Sequence, residues 1–152
     1  MISLTLQQLI PVIQTAVGPV ILISGVGLLL LSMTNRFGRI VDRSRTLARE
    51  LPTAAAGERE FLSQQLVVLY RRARIIRLAI ILAAASVLLA GLLIISLFLA
   101  ALLHMEGALI VALCFILCMA SLVGSLIAFL LDLQVSLTAL RMELKQAGLG
   151  GM

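Results

Sequence analysis

Three long stretches of this chain contain no charged residue: 1–35, 78–103 and 107–131. Each offers the roughly 20 consecutive, mostly apolar residues that a helix needs to cross about 30 Å of hydrocarbon. A core helix of a water-soluble domain is rarely so apolar all round over such a length. The pattern predicts an all-α protein with three transmembrane helices. The first should run from about Val12 to Thr34 with Pro19 near its middle, where a kink or a freed Thr15 carbonyl is expected. Residues 2–10, with two glutamines before Pro11, predict a short helix lying in the outer interface.

Outside the spans the period changes to an amphipathic one. Phe37, Ile40, Val41, Leu47, Ala48 and Leu51 fall on one helical face, and Pro52 and Gly57 then mark a break. Leu62, Leu66, Leu69, Ala73, Ile76 and Ile80 recur in steps of four and three, so a second extension should feed straight into the second span. Beyond Asp132, Leu133, Leu137, Leu140, Leu144 and Ala147 form a third apolar stripe, and GLGGM reads as a tail. A turn around His104 to Gly107 is too short to separate its spans, which should form an antiparallel hairpin. Four regions result: an outer segment with the first span (1–34), a helical hairpin (35–77), the paired second and third spans (78–131), and a C-terminal helix with its tail (132–152). The three extensions each carry an apolar face that needs covering, and a helical bundle covers all three.

Charge supplies the orientation. All 12 basic residues fall on one side of this layout: ten between the first and second spans, then Arg141 and Lys145 after the third. Lys and Arg in short loops stay cytoplasmic. The N-terminus is therefore expected outside, with the C-terminus and the bundle in the cytoplasm. Nothing basic precedes Arg36, so the first span is expected to be retained and not cleaved as a signal. Hydrophobic residues make up 62% of the chain and charged residues 12%, a balance foreign to soluble domains. The net charge of +5 is accordingly read as a membrane-surface property. No nucleic-acid partner is expected, because the chain has no recognition module and few aromatic residues to stack on bases.

Two spans carry stripes of small or polar residues. In the first, Gln14, Gly18, Gly25 and Ser32 lie within about 40° of one another, and the same face continues to Arg36, Arg39 and Arg43. In the third the stripe is Gly107, Cys114, Cys118, Ser121, Ser125, Ala128 and Asp132. Such stripes either let helices pack closely or line a watery path through an oligomer. In the second case the arginine row would form a vestibule favouring anions.

Asp132 stands at the inner end of the third span, at the depth of Arg36 and Arg77. A carboxylate there needs a partner, so a salt bridge to one of those arginines is expected, with a proton or cation site as the alternative. Arg71, Arg72, Arg74 and Arg77, with Arg36 and Arg39, form a basic collar suited to anionic headgroups.

Enzymatic chemistry finds little support. His104 has only Glu106 as a nearby acidic neighbour, too few ligands for a firm metal site. Cys114 and Cys118, four apart on one helix, suit packing better than a disulfide. No helically spaced base activates the serines of the spans, and no phosphate loop is present. No cofactor is expected.

The segment ISGVGLLLLSMTNRFGRIVDRSR, residues 23–45, resembles the bacterial family catalogued as domain of unknown function 2721. The pattern rests on Thr34, Asn35, Arg36, Gly38, Arg39, Asp42, Arg43 and Arg45. The resemblance implies a small three-span protein of the bacterial inner membrane and carries over no activity. Two readings follow from the residues. One is a homo-oligomeric ion channel, since three spans are too few to enclose a path alone. The other is a non-conducting anchor or scaffold whose basic helices bind anionic lipid or a partner protein.

Overall fold

Continuous apolar runs with few helix breakers should give few, long helices, and three are found. A computed structural model of the chain describes residues 6–103 and 108–146, with the side chains of 10–55, 57–103 and 108–136. Helix α1 spans Leu6–Glu50, α2 Ala56–Leu103 and α3 Ala108–Gln146, with no strand among the described residues. At 45, 48 and 39 residues, all exceed the length of a membrane crossing, and each extension continues its span without a break. All three are apolar enough to cross a membrane, the architecture of a multi-pass membrane protein.

The separate interfacial helix expected over 2–10 is absent over its described part. From Leu6 the chain is already in α1, which runs through Pro11 and Pro19. Pro11 sits in the second turn, where its missing N–H forfeits one bond close to an end whose first four N–H groups lack partners anyway. Residues 104–107, and the side chains of the third extension from 137 onward, including Arg141 and Lys145, lie outside the described residues, as does the GLGGM tail.

The break near Pro52 is capped from both sides. Leu51 N–H donates to Leu47 O at 3.0 Å, and Thr53 donates to Glu50 O through both its N–H and its hydroxyl, at 3.1 and 2.9 Å. Arg59 reaches back from α2, giving Nε to Ala54 O at 2.9 Å and Nη2 to Pro52 O at 2.8 Å. This arginine holds the turn.

The helices divide into two compact units. One contains 6–31, 81–103 and 108–124. Its buried positions are small: Ala16, Ala83, Ser86, Ala90 and Cys118, beside Val26 and Leu93. Small residues let α2 and α3 approach until side chains of one reach the backbone of the other. Cys118 Sγ donates to Ser86 O at 3.2 Å and Ser121 Oγ to Leu82 O at 2.8 Å. The outward face carries Ile21, Leu28, Leu88, Ile95 and Leu109, each more than 60% exposed. An apolar surface that extensive suits lipid and not water.

The other unit contains 32–80 and 125–146. Its core draws on all three helices: Met33 and Ile40 from α1, Ile76 and Ala79 from α2, Ala128 from α3, with Phe37, Leu69, Ala73, Ile80 and Phe129 packed around them. Leu47 and Leu62 are also buried, whereas Ala48, assigned by the pattern to the inward face of α1, is exposed. The inward positions of α1 recur every seven residues at Val26, Met33, Ile40 and Leu47, and a step from 40 to 48 overshoots that line.

Candidate functional site

A seven-residue register explains how a carboxylate comes to be buried. On α3, Cys118, Ser125 and Asp132 are spaced by seven and are each at most 1% exposed. A seven-residue spacing is close to two helical turns, so the three positions fall near one face of α3. The first two positions take polar groups that satisfy themselves on neighbouring backbone. Ser125 Oγ, for instance, donates to Ala79 O at 2.7 Å. The third takes a charge, which demands counter-charges.

Two arginines supply them. Arg36 Nη2 of α1 donates to Asp132 Oδ2 at 3.3 Å, and Arg72 Nε of α2 lies 3.5 Å from Oδ1. The two ion pairs differ in kind. The Arg36 contact is also a hydrogen bond, whereas Arg72 Nε and Asp132 Oδ1 are both buried and face each other without hydrogen-bond geometry. That second contact is held by charge alone, which acts more strongly where water is excluded. The Arg36 guanidinium also sits 5.5 Å from the centre of the Phe129 ring, one turn before Asp132. One acidic residue thus ties three helices together.

Above this clamp lies an open cleft of about 340 Å³, bordered by Arg36, Arg39, Arg43, Arg72 and Ser136, with Ile40 and Leu69 as its apolar wall. Arg36, Arg39 and Arg43 share a face because their spacing is three and four. Ser136 follows Asp132 by one turn of α3. Four guanidiniums against a single carboxylate make the cleft strongly electropositive, and its size is that of a small-ligand site.

The basic collar read from the sequence separates into two groups. Arg72 turns inward, while Arg71, Arg74 and Arg77 are exposed. Of the two candidates, Arg36 and Arg77, it is Arg36 that pairs with Asp132, and Arg72 adds a second contact that the sequence reading did not assign. The reason is register: Arg72, Ala79, Ser86 and Leu93 are spaced by seven along α2, and Arg77 falls well off that line.

The two small-residue stripes are placed differently. On α3, Cys118, Ser121 and Ser125 donate to backbone carbonyls of α2, and Cys114 is half-buried. Gly107 lies outside the described residues. On α1, Gln14, Gly18, Gly25 and Ser32 are all exposed, and a Cβ added at Gly18 or Gly25 would meet nothing within 4 Å. No cluster of three metal-ligating side chains exists among the described residues. His104 and Glu106 lie outside them.

Sequence reasoning missed Ser136, Phe129 and the inward role of Arg72. A signal for the last was present, since a basic residue seven before Ala79 and fourteen before Ser86 occupies a seam position. No curated protein and no solved structure matches this chain. A family model does, over residues 16–142, a stretch that holds the whole Arg36, Arg72 and Asp132 clamp. The chain belongs to the family described as Protein of unknown function (DUF2721).

Proposed function

We propose that this protein is a non-catalytic anchor of the bacterial inner membrane, with its N-terminus outside and its C-terminus in the cytoplasm, whose basic helical end binds the anionic inner leaflet. The observation that carries this reading is the position of the guanidiniums. Arg71, Arg74 and Arg77 are exposed at the point where α2 becomes apolar. Each basic residue near an anionic surface contributes about 1 kcal/mol. Exposed Phe61, Val67 and Tyr70 on the preceding turns add apolar surface next to those charges. The test is native mass spectrometry of protein extracted in mild detergent. Wild type should retain phosphatidylglycerol in preference to phosphatidylcholine, and Arg71→Gln/Arg74→Gln/Arg77→Gln should lower that retention several-fold. Equal retention of the two lipids by both proteins would contradict the reading.

A second reading, an ion-conducting homo-oligomer, is favoured by one observation. The α1 stripe of Gln14, Gly18, Gly25 and Ser32 is exposed on the protomer, as a face that meets other copies around an axis would be. The hydrogen bonds of Cys118, Ser121 and Ser125 leave α1, and not α3, to line such a path. Reconstituted protein should then pass ions across liposomes, with selectivity altered by Arg39→Glu. Intact oligomers in electrically silent bilayers would exclude conduction.

A further inference from the structure

The cleft above Asp132 has a more specific capacity than general attraction to a charged surface. We propose that Arg36, Arg39, Arg43, Arg72 and Ser136 form a discrete site for one phosphate group. The site extends the leaflet-binding reading and rests on it only for the source of the ligand.

Three features define the ligand class. The first is charge. Four arginines border the cleft and Asp132 neutralises one equivalent, which leaves an excess of three positive charges for a mono- or dianion. Arg39 and Arg43 form no ion pair among the described residues. The second is preorganisation. Asp132 engages Nη2 of Arg36 and Nε of Arg72, so both guanidiniums are oriented, and both residues border the cleft with N–H groups beyond those that face Asp132. A guanidinium fixed in this way presents a planar fork matched to phosphate oxygens. The third is the mixed wall. Ser136 offers a hydroxyl donor, and Ile40 with Leu69 offers an apolar surface for whatever carbon skeleton bears the phosphate. A carboxylate ligand would use less of this donor array than the three free oxygens of a phosphomonoester. Asp132 here is a positioning residue. It holds two of the binding arginines and does not itself meet the ligand.

The phosphate could reach the cleft on a lipid headgroup or on a soluble compound, and two probes separate these sources. Purified full-length protein in dodecyl maltoside is titrated calorimetrically with dihexanoyl phosphatidic acid and with inorganic phosphate. Wild type should bind at least one probe saturably at one per chain. Arg39→Gln/Arg43→Gln should weaken binding about tenfold or more per arginine, since a charge-assisted hydrogen bond contributes roughly 1.5–3 kcal/mol. Arg43→Gln alone, at an exposed position, should lose about tenfold and covers the case of a double variant that does not fold. Phosphatidic acid binding far more tightly than phosphate identifies lipid as the source; equal affinity identifies a soluble phosphate compound. The collar variant Arg71→Gln/Arg74→Gln/Arg77→Gln, which weakens general attraction to anionic lipid, should keep the saturable one-per-chain component, and Arg49→Gln, exposed and outside both the cleft and the collar, should bind like wild type. Loss in the collar variant with no loss in the cleft variants overturns the site and leaves the leaflet reading standing. Absence of saturable binding of either probe to wild type also overturns the site.

Discussion

Asp132 organises this protein because a fully buried carboxylate is tolerable only while its two arginines stay in place. Asp132→Ala leaves Arg36 and Arg72 facing each other without their shared counter-charge, and removing one member of a buried ion pair costs about 3–5 kcal/mol. The melting temperature in detergent should fall accordingly, while Arg77→Gln, at an exposed position outside the clamp, should change stability by no more than about 0.5 kcal/mol. Replacing the whole group, Arg36→Met/Arg72→Met/Asp132→Leu, should recover most of the loss, because an apolar set of similar volume avoids the desolvation of three charges. An Asp132→Ala protein that melts like wild type would show that the clamp contributes nothing. The need for a partner at Asp132 was legible in the sequence, since an acid at a span boundary requires one, and Arg36 stood at the right depth. The choice of Arg72 over Arg77 was harder to see. Any arginine near the interface is accounted for by topology and lipid, and only the seven-residue spacing to Ala79 and Ser86 separates the two.

For the helices themselves, the same register decides which faces meet. The α3 stripe was visible as a run of small and weakly polar residues, but a packed seam and a water-lined path call for the same side chains. The carbonyl partners on α2 distinguish them, and those depend on how two helices lie against each other. Ser125→Ala should cost about 0.6 kcal/mol, rising to about 1.7 at most, the range for hydrogen bonds between membrane helices. Ser125→Leu should cost more, because it forces volume against Ala79. Gly124→Ala should be close to neutral in the same thermal assay, since the new Cβ would sit 3.4 Å from the flexible end of Leu82. The α1 stripe behaves in the opposite way. A Cβ at Gly18 or Gly25 meets nothing within 4 Å, so Gly18→Ala and Gly25→Ala should not lower the melting temperature of the protomer. Cross-linking or light scattering would show whether they dissociate an oligomer, as the conduction reading requires.

At the level of the whole molecule, the three crossings and the collection of arginines between the first two were readable from the sequence alone. They depend on the length of apolar runs and on where charges fall, not on contacts between helices. The row of Arg36, Arg39 and Arg43 was readable as one face, but its completion into a cleft by Leu69, Arg72 and Ser136 was not, because packing brings those positions together. Every functional reading nonetheless stands on the bilayer having sorted the chain, with one turn on the cytoplasmic side and the next outside. Single cysteines introduced at Thr53, between α1 and α2, and at Glu106, between α2 and α3, report this directly in a Cys114→Ala/Cys118→Ser background. In intact spheroplasts a membrane-impermeant maleimide should label position 106 and spare position 53, which should react only after permeabilisation. Labelling of both sites from the same side, or of position 53 alone, would contradict the account.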